Sequence, residues 1–462
     1  MDKEFEYKGQ WWIPENPNMP LSGTLEFTPN REAILNLVGF FGRKGEEDKL
    51  LWPEIILGNT EKGKITLHQC LELRRNFRQS DGFAISTFRI GKIFIGYHYQ
   101  KPSDIAFKII SIRYWHFDEW LNSGGIEVQH DLNAHATFIY KCKLPKPIEI
   151  MINEKIKLVI WFKSSYVFGI KLSEIAITQN AFVSIEFSEL KSFEECYYFI
   201  YYLQILLSLA CLEPIVPLSL SASAETINNS IETKKSAPIE IHYVSSFAPN
   251  LNKKLSLYKV YFNFDWIAHR FENFIQNWFK KLSILEPIYD LYFMNIYHRG
   301  KNIKYEFLGY IQAIESYHRR TMKNYEIEEP EHKKRIEEIL NAVPNKYQSW
   351  LQYKMKYGNE PSLPMRLKEI IEKFRIIADS FIKDRAIFIK SVANTRNYFT
   401  HYDFDLKEKA ANEEQLYHLT QKLKILLEII LLSELEFNLA EIQHSIVRNI
   451  YYLAEVDEKQ KA

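Results

Sequence analysis

The stretch DRAIFIKSVANTRNYFTHY, residues 384–402, has the spacing of a helix, with Ile389, Val392, Ala393 and Phe399 three, one and six apart along one side. At about 100° per residue, Lys390, Asn394, Asn397 and His401 fall on one narrow polar stripe, spaced four, three and four apart. Arg396 does not join them. It falls among the apolar positions, where an unpaired charge is very costly, so it demands an anion or a carboxylate. A local conflict of this kind between pattern and residue tends to mark a functional site.

The same 3.6-residue period recurs through the second half of the chain, in EPIYDLYFMNIY, YEFLGYIQAIESYHRRTM, EHKKRIEEILNAV, MRLKEIIEKFRIIADSFI and NEEQLYHLTQKLKILLEIILLSEL. Residues 286–462 therefore read as an all-α bundle of five to seven helices, with a charged, proline-bearing insertion at about 324–364. Residues 1–285 have a period of two instead. GTLEFTP, AILNLVGFF and FAISTFRIGKIFIGYHY alternate between apolar and polar, and PENPNMPLSG, NTEKGK, NSGG and LPKP supply turns between such runs. The expected fold class is α+β in two domains, an antiparallel, sandwich-like β-rich domain followed by the bundle. A chain of 462 residues also exceeds what one core holds, roughly 250 to 300 residues.

Three segments of the first half carry separate expectations. CYYFIYYLQILLSLACL at 196–212 is apolar but only just of spanning length, and Ser192 with Glu195 forms a capping box ahead of it, so it reads as a buried core helix and no membrane span is expected. SLSASAETINNSIETKKSA at 219–237 reads as a surface loop, and IEIHYVSSF and LYKVYFNF after it as strands.

Bulk chemistry narrows the function. A net charge of +1 excludes a general coat for duplex nucleic acid, leaving room only for a local site. Cys70, Cys142, Cys196 and Cys211 are far apart and form no Cys-x-x-Cys pair, so no zinc site or disulfide framework is signalled and a reduced, cytoplasmic protein is expected. The opening residues MDKEFEYKGQWW are acidic and aromatic, unlike a secretory signal. His116, His130 and His135 match no ligand spacing, and no cofactor is expected.

The residue types at 396–401 suit one chemistry. A histidine moves protons near neutral pH, an arginine neutralises charge on a phosphorane, and an asparagine can orient the histidine or a phosphate oxygen, which together fit RNA cleavage by its own 2′-hydroxyl without a metal. Of three Arg-Asn pairs, at Arg75, Arg396 and Arg448, only that at Arg396 has a histidine five residues after the arginine. The bland alternative is a surface histidine and an arginine paired to a bundle carboxylate, in a module that binds a nucleotide or a partner without catalysis. Arg74, Arg75 and Arg78 around Phe77 read as a solvated strand end or loop, not a nucleic-acid grip.

RNYFTH late in a helical bundle resembles the signature of HEPN-domain ribonucleases. YIQAIESYHRR at 310–320 is similar to the opening helix of the ApeA-like branch of that superfamily, and GQWWIP, GTLEF, LNLVGFF and IILGNTEKGKITLHQC resemble its β-rich N-terminal domain. The resemblance covers nearly the whole chain in the same domain order. It implies a metal-independent endoribonuclease acting in anti-phage defence by abortive infection, with an RNA substrate, tRNA among the candidates. It further implies a sensing N-terminal domain, a phage protein as trigger, and a homo-oligomer with motif helices at the subunit interface. Carried over by position, Arg396 would stabilise the transition state, His401 would act as acid or base, Asn397 would position them and Glu315 would support. Lys390, Asn394, Arg319 and Arg320 are candidate RNA contacts.

Overall fold

The computed structural model describes all residues except 1–2, 43–49, 79–82, 132–136, 169–174, 224–237, 246, 299–301 and 449–462. The chain forms two compact units, Met1–Gln276 and Asn277–Ala462.

The first unit begins with six antiparallel strands, β1 (Phe5–Trp12), β2 (Leu21–Thr28), β3 (Glu32–Val38), β4 (Ile55–Thr60), β5 (Gly63–Arg78) and β6 (Phe83–Ile95). Their order is β6-β3-β2-β1-β4-β5, and β5 pairs back onto β6 from Ile65↔Ile95 to Arg78↔Phe83, so the strands close into a barrel. Closure removes the free edges that an open sheet would leave. The alternation in the sequence sets which side chains point inward. Along β3, Ala33, Leu35 and Leu37 are buried between more exposed neighbours, and they join Trp11, Leu25, Phe27, Ile56, Ile65, Leu67, Phe88 and Ile93 in one core. Trp11 lies against Gly58, where no side chain would fit, and its indole N–H donates to the Gly23 carbonyl at 3.1 Å.

β6 is shared with an outer sheet. One of its edges pairs with β3 at residues 85–89, then with β14 (Ile239–Tyr243) at residues 92–95. Gly91 sits between the two pairings, and a Cβ there would come within 2.8 Å of Cβ of Gln69, which has a φ of 59°. The outer sheet continues through β13 (Pro217–Ser223), β7 (Ala106–Tyr114), β12 (Ile175–Ser192), β11 (Ile156–Phe168) and β10 (Ile148–Asn153). Also present are a short helix α1 (Phe117–Leu121) and a hairpin of β8 (Ile126–Asp131) and β9 (Thr137–Cys142). The antiparallel β-rich domain is as expected, with the barrel as its closed part.

Helix α2 (Phe193–Cys211) lies in this unit against β7 and β12, and its capping box of Ser192 and Glu195 is formed. Among the described residues no helix is long and apolar enough to cross a membrane. Three expectations need correcting or bounding. LYKVYFNF is not a strand: Val260, Tyr261 and Phe262 are buried in a turn-and-bend segment, where the Tyr261 N–H donates to the Ala210 carbonyl and the Trp120 indole to the Phe262 carbonyl. Burial against helix ends produced the apolar run that alternation had suggested. The expected loop at 219–237 is strand β13 up to Ser223, and its remainder lies outside the described residues. His135 and the side chain of His130 also lie outside them, while His116 is buried.

The second unit is helical. After α3 (Phe264–Ile267) in the first unit come α4 (Phe271–Tyr297), α5 (Ile303–Thr321), α6 (Glu329–Asn341), α7 (Asn345–Lys354), α8 (Leu363–Lys373), α9 (Arg375–Ala378), α10 (Arg385–His401), α11 (Phe404–Lys407) and α12 (Glu413–Glu434). The division between the units falls inside α4, whose helical period starts at Phe271 and so ahead of the period change placed near residue 285. Helix α5 packs on α12, α8 and α10, and α10 also packs on α8. The insertion at 324–364 is a hairpin of α6 and α7, neither of which buries a residue.

Candidate active site on helix α10

Helix α10 starts at Asp384, whose side chain accepts from the Ile387 N–H at 2.9 Å. It ends at His401 because Tyr402 is left-handed, with φ 50°, and donates its N–H to the Tyr398 carbonyl, while Asp403 caps the following turn. The buried stripe is Phe388, Val392, Thr395 and Phe399; Thr395 is satisfied by the Ala411 N–H at 2.9 Å. Ile389 and Ala393, expected on the buried side, are half-buried on its flank, and Arg396 shares that flank.

Arg396 has the partner that its position demanded. Its Nη2 donates to Oε2 of Glu315 on α5 at 3.4 Å, and its Nη1 donates to Oδ1 of Asn397 at 3.1 Å. Both members of the ion pair are about one-third exposed, at 32% and 28%, so the guanidinium keeps a solvent-facing edge able to meet an anion. The His401 side chain is exposed and makes no hydrogen bond or ion pair to another described residue. Helix geometry puts it about 140° around the axis from Arg396 and about 7.5 Å further along it.

The structure thus brings Arg396, Asn397 and Glu315 together and leaves His401 on a different face. Lys390 is exposed and Asn394 half-buried on the outward stripe. The two remaining candidate contacts are engaged: Arg319 with the Glu360 carboxylate at 2.7 Å, and Arg320 with the Ile284 carbonyl at 3.3 Å.

Sequence reasoning passed over a buried polar chain behind Glu315. His318, with no exposed surface, has its Nδ1 2.9 Å from Nη1 of Arg366 and its Nε2 2.8 Å from Oε2 of Glu369. A guanidinium only donates, so Nδ1 accepts and the ring hydrogen sits on Nε2, donating to Glu369. Arg366 also reaches Glu360 at 3.4 Å and feels the charge of Glu315; burial, then Arg319, pushes its pKa down from the usual arginine value. The signal was available, because Arg366 falls on the apolar stripe of Leu363, Leu367 and Ile370. Among the described residues, no group of three His, Cys, Asp or Glu is placed to hold a metal ion.

A family model described as ApeA N-terminal domain 1 matches residues 6–278, and one described as Apea-like HEPN matches residues 308–441. The chain belongs to the ApeA-like HEPN family. No curated protein and no solved structure matches it. Within the ApeA-like chain, the HEPN match runs from α5 through α12, so it contains Glu315, the Arg366 chain and the whole of α10. HEPN domains are generally nucleases, and the family fits anti-phage defence.

Proposed function

We propose that the protein is a metal-independent endoribonuclease whose site comprises Arg396, Asn397 and His401, with Glu315 as support. In this reading His401 takes the proton of a ribose 2′-hydroxyl or gives one to the departing 5′-oxygen. The 2′-oxygen bonds to the adjacent phosphorus as the bond from phosphorus to the 5′-oxygen breaks, leaving a 2′,3′-cyclic phosphate and a 5′-hydroxyl. Arg396 neutralises the charge that grows on the phosphorane oxygens, Asn397 holds one end of the guanidinium, and Glu315 holds the other.

The observation that carries the reading is the half-satisfied Arg396: one long bond to Glu315, one to Asn397, and an open edge on a helix whose exposed histidine is without a described partner. Because Arg396 and His401 point to different sides of one helix, a pair of copies related by a two-fold axis would let residues of both helices converge on one phosphate. The homo-oligomer, the cytoplasmic location, the phage-protein trigger and the sensing role of the β-rich unit belong to the same proposal. A second reading, a non-catalytic clamp for a nucleotide or a partner, has in its favour that Glu315 already balances the arginine.

Sequencing of RNA ends from phage-infected cells that express the wild type or His401→Ala separates the two. The nuclease reading expects new 2′,3′-cyclic phosphate ends in the wild type alone. Identical RNA ends in both strains would leave the clamp.

A further inference from the structure

The hairpin of α6 and α7 presents two unlike helices. On α6 charges pair along the helix, Lys333 with Glu329 at 2.7 Å and Lys334 with Glu338 at 4.0 Å. From 345 to 357, NKYQSWLQYKMKY, there is no acidic residue, and Lys346, Lys354 and Lys356 pair with no carboxylate among the described residues. Gln348, Leu351 and Met355 are half-buried, and Gln348 donates to the Leu340 and Val343 carbonyls at the end of α6. The other side of α7 is different. Tyr353, Lys346, Trp350, Lys354 and Tyr347 follow one another around an arc of about 120°.

The aromatic rings on that arc are exposed, Tyr347 by 49%, Trp350 by 60% and Tyr353 by 74%, and Tyr357 just beyond the helix by 64%. Lys346 lies 4.8 Å from the Tyr347 ring centre and Lys356 5.4 Å from that of Tyr357. Three large rings held in water by a helix that buries nothing, with a fourth just past its end, do not serve the bundle core. Rings spaced about 4.5 Å apart along the axis, alternating with unpaired cations, match the pattern of a strand whose bases stack and whose phosphates need neutralising.

We propose that this face of α7 binds single-stranded RNA by stacking on Tyr347, Trp350 and Tyr353, with Lys346 and Lys354 on the phosphates. The inference rests on the ribonuclease reading for its choice of RNA and gives that enzyme a substrate-holding surface outside α10. A membrane surface fits less well, because no aliphatic side chain lies on the arc and Leu351 and Met355 lie beyond its edge, half-buried.

The test is fluorescence anisotropy of a labelled single-stranded RNA of about 12 nucleotides with the full-length protein carrying His401→Ala, so that the probe survives. Adding Trp350→Ala and Tyr353→Ala is expected to weaken binding about tenfold or more, while Trp350→Phe with Tyr353→Phe keeps most of it. Lys346→Glu with Lys354→Glu is expected to lower the salt dependence of log affinity by roughly 1.4 units, about 0.7 for each lost phosphate contact. Circular dichroism should be the same for all variants, since every altered side chain is exposed. Equal RNA affinity in the alanine pair and its parent overturns the inference, as does binding to phosphatidylserine vesicles in preference to RNA. RNA binding that depends on Trp350, in a protein that leaves cellular RNA uncut, supports this surface and removes the nuclease reading; cutting without that dependence does the reverse.

Discussion

The chain contains two Arg-Asn pairs whose structures are described, and the fold treats them in opposite ways. Arg75, in strand β5, is 3% exposed at its side chain and holds both oxygens of Glu72, itself fully buried, at 2.9 and 2.8 Å; Glu72 also accepts the Leu51 N–H at 2.7 Å, and the guanidinium lies 4.6 Å from the Phe40 ring centre. Arg396, in α10, touches a single oxygen of Glu315 at 3.4 Å, with both groups about one-third exposed. The same dipeptide is a closed structural bridge in the barrel and an open one on the helix. An arginine held by both carboxylate oxygens in a dry site has no geometry left for a ligand, whereas one long carboxylate contact and one amide contact at the rim leave most of the donors free to turn.

The sharpest way to break this contrast is to remove each arginine and measure stability and cleavage separately. His401→Ala and Arg396→Ala are each expected to lower RNA cleavage by about 10²- to 10⁴-fold, judged by the yield of cyclic phosphate ends in the presence of EDTA. Arg396→Ala should shift stability by no more than about 1 kcal/mol, because the lost pair is solvent-exposed. Arg75→Ala should have the reverse profile. It leaves the Glu72 carboxylate buried without its partner and is expected to cost about 3 to 5 kcal/mol in urea denaturation of the first unit. Equal stability losses at the two sites would remove the distinction.

A smaller effect sharpens it further. Glu315→Gln retains a hydrogen-bond acceptor for Arg396 but removes the charge, and is expected to reduce cleavage about tenfold by loosening the guanidinium. Its fall should appear in kcat more than in KM if Glu315 orients the arginine without touching RNA.

The sequence reveals much of this, and where it fails the reasons are physical. Alternation over β2, β3 and β6 and the 3.6 period over α5, α10 and α12 reflect which faces are buried, so the two-unit α+β order is readable directly. Closure of the barrel is not, because it depends on β5 pairing back along β6 and on Gly91 letting β6 change partners, both long-range facts. The solvated strand end expected around Arg75 is corrected by the ion pair with Glu72, which lies three residues away on a strand where a register shift between Glu72 and Arg74 lets the two side chains meet. The conflict at Arg396 is legible and demands a carboxylate or another anion; that the partner is Glu315 follows from the packing of α5 against α10, and in the sequence Glu315 is marked out only by the family resemblance. The same conflict at Arg366 went unread, although that arginine binds His318, a residue three positions from Glu315. An apolar stripe interrupted by arginine therefore locates a polar network, but only the structure tells whether it is closed, as at Arg75 and Arg366, or open, as at Arg396.

The weakest effect concerns pH and should separate the two units. His68 on β5 is half-buried, its Nδ1 has no hydrogen-bond partner among the described residues, and its pKa is held below the ordinary histidine value by burial first and by Lys92 second, with Glu194 and Glu54 opposing. His98 is also lowered, by burial, against the help of its 2.9 Å bond to the Gly58 carbonyl. A lowered histidine leaves stability unaffected above the unfolded pKa of about 6.5 and removes it as pH falls below that value, since the unfolded chain takes up the proton first. Hydrogen exchange of β5 and β6 peptides, corrected for intrinsic rates, should therefore show less protection at about pH 5.5 than at about pH 7.5. His68→Gln with His98→Gln should flatten that difference. If the double variant keeps the full acid sensitivity, these two histidines do not set the acid response of the barrel.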